Sequence, residues 1–584
     1  MAIEVVIPML GVTVENGRIV EWLKKEGDPV EKGESIFVVE ADKVTTEVEA
    51  PAAGILARIL LKPGEDVPVL TVVGLIAAPD ELLSPEYVQE GGKLDTAHLG
   101  TPKNNDQRSG EMLSASSAPS YDLVVIGGGP GGYVAAICGA RSGLKTALIE
   151  KDALGGTCLN RGCIPTKSLV NDTGLFRKAV KSSLFTGNET LRIQAQEMFK
   201  RKRKVVQTLV DGVTGLVKSN GVVLYNGIGM VEGPGKVQIQ EMGGGVAEIA
   251  TANIILANGS RPAVPSFIEI DGERVQTTDE ILDDFVLPGS IAIIGGGVIG
   301  IEMATIFNNI GAQVTVIEML EDILLTEDKD IRKVMATQLK KRGVEILTNT
   351  SVREVTVEGK HVRVSYQEKS AVESGSVSVE KVLVSTGRRP DLTGLDVARL
   401  GLECQGSFIK VNENMETNLS GVYAIGDLIG GMMLAHKASA EAEAAVEHIK
   451  GASGKAVDPH RIPRCIWGAL EVGAVGMSET EAAATGRKVK IGRFPFAASG
   501  AAQAKGHPEG LVKIIGDADT GEILGVHIIG EHATDMIAEA VTVMQMEGAV
   551  EDLYEAVKPH PTLSEAVLEA ALDWNSLAIH LPRK

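Results

Sequence analysis

The 584-residue sequence is short of cysteine, with five in all, and short of positive charge, with 57 Lys and Arg against 77 Asp and Glu and a formal net charge of −20. Such a balance supplies no basic stripe, so neither nucleic acid nor an anionic lipid surface is expected as a partner. No apolar run approaches the ~20 residues that span a bilayer, and the opening MAIEVVIPML lacks a basic region ahead of an apolar core. A cytoplasmic protein is therefore expected. Structural disulfides are rare in that compartment, which leaves Cys138, Cys158, Cys163, Cys404 and Cys465 as thiols apart from any catalytic pair.

What is present describes an α/β protein of several domains. Hydrophobic residues make up 44% of the chain and there are 67 glycines, with a mean hydropathy of +0.10. A length prior of ~150 residues per domain suggests about four domains. Residues 1–78 alternate apolar and polar positions between Gly/Pro/Asp turns (RIVEWL, SIFVVE, TTEVEA, ILARILL), the pattern of a small all-β domain. Lys25-Glu-Gly-Asp-Pro-Val30 returns as Lys62-Pro-Gly-Glu-Asp-Val67, which predicts two similar sheet halves. Residues 79–120 are polar and aperiodic, a linker whose root-mean-square span as a flexible chain is roughly 35 Å.

From Tyr121 the pattern becomes strand, glycine-rich turn and helix, and it occurs twice. Gly127, Gly129 and Gly132 form a G-x-G-x-x-G between the strand DLVVIG and a helix, with Glu150 ending the next strand. The glycines permit a tight turn and close approach of a pyrophosphate to the helix N-terminus, and the carboxylate can bond a ribose hydroxyl. Gly295, Gly297 and Gly300 repeat the design after SIAIIG, with Glu318 at the same offset. An acidic residue there favours NAD over NADP. Two dinucleotides on one chain imply electron transfer between them.

GGTCLNRGCIPTK places Cys158 and Cys163 five residues apart just after the first unit's acidic residue. On an ideal helix that spacing is a rise of about 7.5 Å, beyond the roughly 7 Å that an unstrained disulfide tolerates between Cα atoms. A bridge therefore needs a bent backbone, which Gly155, Gly156 and Gly162 permit. A strained bridge is easily reduced, which suits a redox catalyst. Two buried thiols are the plainer alternative. A metal site is not expected, since the segment has no further Cys or His.

In these residues the chain resembles the flavin-dependent disulfide oxidoreductases, and within them the branch that acts on dihydrolipoamide, from Tyr121 to about Leu577. GGTCLNRGCIPTKSL is similar to the family's redox-active disulfide segment, STGRRPD and TNLSGVYAIGD to its flavin-side motifs, and HPTLSE to its catalytic histidine and glutamate. The resemblance implies Cys158 as the interchange thiol, Cys163 as the thiol facing the flavin, and Lys167 near the flavin ring. Asp427 would hold the ribityl region, with Lys151, Gly259 and Gly387 among the further cofactor contacts. It implies His560, held by Glu565, as the acid/base reaching in from the second subunit of a homodimer. A base near neutral pKa is what a dithiol substrate requires, because thiolate is the attacking species. Arg161, between the cysteines, adds a positive charge that would favour thiolate or is simply solvated.

FVVEADKVTTEVEAPAAG resembles a lipoyl domain, which implies covalent lipoyl on Lys43, between two strands of a hairpin. Biotinyl domains carry methionine on both sides of their lysine, and this sequence does not.

The expected order is then a lipoyl domain (1–78), the linker (79–120), the first part of an FAD domain (121–268), an NAD domain (269–393), a central segment completing the FAD site (394–459) and an α+β interface domain (460–584). The expected activity is oxidation of protein-bound dihydrolipoamide with NAD, in partnership with a lipoyl-bearing acyltransferase or carrier protein of a 2-oxo acid, acetoin or glycine-cleavage system. Mercuric ion reductases want cysteine pairs in the first domain and at the C-terminus, which are missing here. Glutathione-type reductases prefer NADPH, against Glu318, and a lipoyl carrier on an inactive flavoprotein would not need both cysteines, His560 and both glycine turns. Three places depart from the family pattern: Asn258 for threonine in ILANGSRP, CIWGALEVGAVG (465–476) for Thr-x-Pro-Glu, and Lys558 where a histidine is common.

Overall fold

A computed structural model describes residues 3–7, 16–41, 44–68, 71–77, 119–283, 286–369, 374–452 and 456–582. These fall into two units, one within 1–117 and one within 118–584.

The first unit is all β, as its alternating pattern predicts. Strands β1 (Ile3–Val6), β2 (Asn16–Trp22), β3 (Pro29–Val30), β4 (Ser35–Ala41), β5 (Val44–Glu49), β6 (Gly54–Ile59), β7 (Asp66–Pro68) and β8 (Val72–Ala77) form two four-stranded sheets. Their orders are β1-β8-β6-β3 and β5-β4-β2-β7. The inward positions Ile19, Ile36, Phe37, Val39, Leu56 and Val73 are fully buried between them. The repeated Lys-x-Gly-x-x-Val motif occupies equivalent turns. Gly27 and Gly64 both take positive φ, +93° and +102°, and their N–H groups donate to Leu56 O and Ile19 O at 2.8 and 2.9 Å. Strands β4 and β5 pair antiparallel up to Ala41 opposite Val44. The residues joining them, Asp42 and the expected lipoyl site Lys43, lie outside the described residues, as does residue range 78–118, which holds nearly all of the expected linker.

The second unit carries two α/β sheets, the first parallel except at Lys236–Glu241, which pairs antiparallel with its neighbours, and the second parallel throughout. In the first, β9 (Ser120–Ile126), α1 (Pro130–Arg141) and β10 (Thr146–Glu150) lead to α2 (Gly156–Arg161), α3 (Cys163–Lys181) and α4 (Ala195–Ser219). Strands β11 (Val223–Gly233), β12 (Lys236–Glu241) and β13 (Val246–Leu256) follow. In the second sheet come β14 (Val275–Gln276), β15 (Ser290–Ile294), α5 (Val298–Asn309), β16 (Gln313–Ile317), α6 (Lys329–Lys341) and β17 (Glu345–Leu347). A three-stranded antiparallel sheet, β18 (Thr350–Glu358), β19 (His361–Glu368) and β20 (Gly375–Val379), precedes β21 (Lys381–Val384), which returns to the second sheet. Then β22 (Val422–Ala424) closes the first sheet, whose order is β12-β11-β10-β9-β13-β22, beside α7 (Ala435–Ile449). The second sheet runs β14-β21-β15-β16-β17. Every residue of β10 is buried, as expected of a parallel strand covered on both faces.

The last segment is a five-stranded antiparallel sheet with helices. Its strands β23 (Arg464–Trp467), β24 (Glu471–Gly476), β25 (Val489–Pro495), β26 (Leu511–Asp517) and β27 (Ile523–Gly530) pair in the order β23-β24-β27-β26-β25. Helices α8 (Ala533–Gln545) and α9 (Glu565–Trp574) pack on it around Phe494, Val512, Val526, Ala570 and Trp574. The α/β class with a small all-β unit ahead of it is the architecture expected from the sequence.

Candidate active site

The two glycine turns are near copies. Gly127 and Gly295 take φ of +102° and +111°, where L side chains are strained. A Cβ on Gly132 would stand 1.7 Å from Gly127 O, and one on Gly300 2.0 Å from Gly295 O. Each helix thus begins against its own turn. Glu150 Oε2 accepts the Gly128 N–H at 2.5 Å, and Glu318 Oε2 accepts the Gly296 N–H at 2.6 Å. The other oxygens accept from Asp152 N at 2.8 Å and Leu320 N at 2.8 Å. Both carboxylates are therefore fixed by backbone before any ribose arrives.

The fit to two dinucleotides rests on what these turns leave open. Gly129 and Gly297 head α1 and α5 with no capping side chain. A Cβ on Gly297 would meet nothing within 4 Å, and one on Gly129 only Gly156 Cα at 3.9 Å. Backbone can approach a pyrophosphate there, and the unpaired first-turn N–H groups are its donors.

The flavin-side motifs converge behind the first turn. Asp427 Oδ2 is hydrogen-bonded by Ser260 Oγ, and Arg388 Nε donates to the same hydroxyl at 2.7 Å. Buried Glu441 accepts the Gly426 N–H at 2.8 Å. Gly259 and Gly387 take positive φ, +74° and +123°, with open space where a Cβ would stand. Asn258, one of the departures, donates to Thr393 O at 3.0 Å while its buried Oδ1 has no partner among the described residues. Lys151 pairs with Asp391 at 2.6 Å, so its charge is engaged within the protein.

The cysteines sit at a helix break. Gly162, between α2 and α3, has φ −145° and ψ −111°, and a Cβ on it would press to 2.9 Å from Thr157 O. The bend that the spacing called for is made at this glycine. It brings the two thiols into hydrogen-bond contact, both unbridged here. Cys163 opens the 19-residue α3, where the helix dipole favours an anion. The hydrogen bond from the Cys158 thiol holds Cys163 down to about 7; Lys167 helps, while burial and Glu302 oppose. The same hydrogen bond, together with burial, pushes Cys158 far up. In the dithiol the negative charge therefore belongs to Cys163. Arg161 plays no part in this, being paired with Asp152.

Lys167, one turn into α3, is bound by Glu302 of α5 at 2.9 and 3.0 Å. Sequence reading missed Glu302. It is the one charged residue in the otherwise apolar and polar-neutral helix VIGIEMATIFNN, a signal that a buried partner awaits.

His560 lies 78% exposed, its Nδ1 2.8 Å from Glu565 Oε1. Glu565 Oε2 accepts the Thr562 N–H at 2.9 Å. Against the upward push of burial, these two hydrogen bonds hold the Glu565 carboxyl below its ordinary value. The ring is thus oriented with Nε2 free for proton transfer. A second such pair, also missed, stands one helical turn along α9: buried Glu569 takes His580 Nδ1 at 2.7 Å. Lys558 is turned away to Glu539. Among the described residues no group of three or more His, Cys, Asp or Glu is placed to hold a metal ion, and no helix is long and apolar enough to cross a membrane.

Residues 121–442 match the family model described as pyridine nucleotide-disulphide oxidoreductase, and 462–571 match its dimerisation domain. Residues 3–76 match the biotin/lipoyl model described as biotin-requiring enzyme. The dihydrolipoyl dehydrogenase of Bacillus subtilis is 43% identical over 473 residues, 79% of this chain and 100% of its own length. The mitochondrial dihydrolipoyl dehydrogenase of Pisum sativum is 38% identical over 80% of this chain and 94% of its own. Among solved structures, LpdA from Mycobacterium tuberculosis superposes with a TM-score of 0.72 at 25% identity, over 78% of this chain and 99% of that one.

Proposed function

The chain belongs to the pyridine nucleotide-disulphide oxidoreductase family, and on that premise we propose that it is a dihydrolipoyl dehydrogenase, oxidising protein-bound dihydrolipoamide with NAD. The observation that carries the reading is the cysteine pair at the Gly162 break, with the thiolate held on Cys163 by Cys158 and Lys167. It uses FAD and NAD, held at the Gly127 and Gly295 turns, and a lipoyl group on Lys43.

The residue chemistry balances. His560 Nε2 takes the proton of the first substrate thiol, and the thiolate attacks Cys158 Sγ, breaking the Cys158–Cys163 bond and freeing Cys163 as thiolate. The second substrate thiol then attacks the sulfur bonded to Cys158. That closes the lipoyl ring, and Cys158 leaves with the second proton. Bound FAD supplies the acceptor for the electron pair of the dithiol and NAD the final carrier, with the disulfide re-formed. Glu565 keeps the imidazole oriented and stabilises its charged form. With its ring 78% exposed on the interface segment, His560 serves the cysteine pair of a second copy in the homodimer.

The finer reading is a cytoplasmic component of a 2-oxo acid, acetoin or glycine-cleavage system, its partner the lipoyl-bearing acyltransferase or carrier protein. The chain's own lipoyl domain fits a docking or carrier role.

Anaerobic titration of the purified protein with dihydrolipoamide, followed by NAD, tests the reading. A long-wavelength thiolate-to-flavin band and then NADH are expected. A flavin spectrum unmoved by the dithiol sinks the assignment of Cys158 and Cys163.

A further inference from the structure

Trp467 belongs to the stretch that departs from the family pattern, and it stands where three segments meet. The Lys167 ammonium of α3 lies 4.5 Å from the centroid of its ring. Its backbone N–H donates to Glu302 Oε1 of α5 at 3.0 Å. That carboxylate in turn binds Lys167 Nζ, with the Glu302 side chain only 6% exposed. One residue of β23 thus touches both members of the ion pair, one through its π face and one through its backbone.

The two contacts act in the same direction. Lys167 favours the Cys163 thiolate and Glu302 opposes it, so an ammonium drawn wholly to the carboxylate would do the sulfur little good. An indole face attracts a cation without carrying a negative charge of its own. The Trp467 N–H, meanwhile, draws off part of the carboxylate's charge. We propose that Trp467 is a positioning residue for the redox pair, sharing Lys167 with Glu302 so that part of its charge still serves Cys163. The inference rests on the reading of Cys163 as the flavin-facing thiolate.

The charged and titratable groups around that sulfur come from every neighbouring element. They are Cys158 of α2, Lys167 of α3 and Glu302 of α5, with Tyr133 of α1 facing Cys158. Cys465, two residues before Trp467, also feels Lys167, yet burial and Glu471 push its thiol up to about 11. It does not compete as an anion.

The test follows the thiolate-to-flavin band of the dithiol-reduced holoenzyme against pH in wild type, Trp467→Phe and Trp467→Leu. Both variants keep the backbone N–H and only leucine removes the aromatic face. The midpoint of band formation should rise by about 0.5 to 1 pH unit in the leucine variant and by less than half as much with phenylalanine. Equal shifts in both, or none, overturn the proposal, because a mere packing role would not separate them. Fluorinated tryptophan, which keeps the ring's size and drains its π face, covers the case in which leucine costs bound FAD. The wild-type midpoint must then rise on labelling and stay unmoved when the Trp467→Phe protein is labelled, which controls for Trp574 and its own cation Lys490 at 4.3 Å. A labelled wild type with an unmoved midpoint also overturns the proposal. If wild type shows no band at all, it is the Cys163 reading that fails.

Discussion

The two dinucleotide-binding halves of the second unit can be laid side by side almost residue for residue. Both acidic residues reach back 22 positions to a loop N–H, at 2.5 and 2.6 Å. Both halves then bring a left-handed residue onto the second loop glycine: Gly155 N donates to Gly128 O at 2.8 Å, and Leu324 N to Gly296 O at 3.0 Å. There the likeness ends. The first half continues with a second left-handed glycine, Gly156, whose Cβ would stand 2.7 Å from Gly129 Cα, and goes straight into the cysteine helices. The second half passes through an acidic loop, TEDKD, to α6. The repeat builds two alike turns; the cysteine pair, set on either side of the Gly162 break between α2 and α3, is present in only one half.

The sharpest break of that comparison is made at the cysteines. Cys158→Ser and Cys163→Ser should each cost at least about 10^4-fold in dihydrolipoamide oxidation, the scale of losing an essential nucleophile. Only Cys158→Ser, which leaves a hydroxyl donor beside Cys163, should keep a thiolate-to-flavin band near neutral pH. A band in Cys163→Ser would reverse the two roles. His560→Gln should lose about 10^2 to 10^4-fold in kcat, the range of a general base, with FAD content unchanged.

The same substitution placed in each turn should then separate the halves. Gly132→Ala and Gly300→Ala press a methyl onto backbone oxygen at 1.7 and 2.0 Å, where nothing flexible gives way. Gly132→Ala should purify without FAD. Gly300→Ala should hold FAD and still be reduced by the dithiol, but reduce NAD about 10^2-fold more slowly. Loss of FAD in both would show that the turns support the fold jointly and are not separate docking sites.

Much of this was legible in the sequence because periodicity and glycine placement act locally. The two turns, the bend between the cysteines and the His560–Glu565 pair all come from residues within a few positions of one another. The hidden parts were long-range. Glu302 lies 135 residues from Lys167, and Trp467 a further 165 from Glu302. The Arg388–Ser260–Asp427 contacts likewise join three separate segments. A lone glutamate in an apolar helix announces that it has a partner without saying which, and Trp467 stood in the sequence only as a departure from pattern. Arg161 read as a possible helper of the thiolate, and its neighbour Asp152 takes it instead.

The halves differ once more in how they are held, and the smallest effect follows from that. The first packs α1 on α7 through Ala135, Ala136, Ala442, Ala445 and Val446, all buried and apolar. The second meets the interface sheet through apolar side chains, Met335 and Leu339 among them, and through a buried set of ions. Lys513 of β26, fully buried, binds Asp328, Asp330 and Glu479 at 2.7, 2.8 and 2.7 Å. Against burial, which pushes it up, the hydrogen bonds from Lys513 and the Glu479 N–H hold Asp328 down to about 2. A carboxyl depressed in the folded state contributes stability that is complete above its unfolded value near 4 and is lost as pH falls through the folded value. From that depression the contribution at neutral pH is on the order of 2 kcal/mol. Acid should therefore loosen the second half first: between pH 4 and 2, amide exchange should quicken in α6 and β26 while α1 and α7 stay protected. Equal loss of protection in both halves would mean that the ionic contact contributes no more to stability than the apolar one.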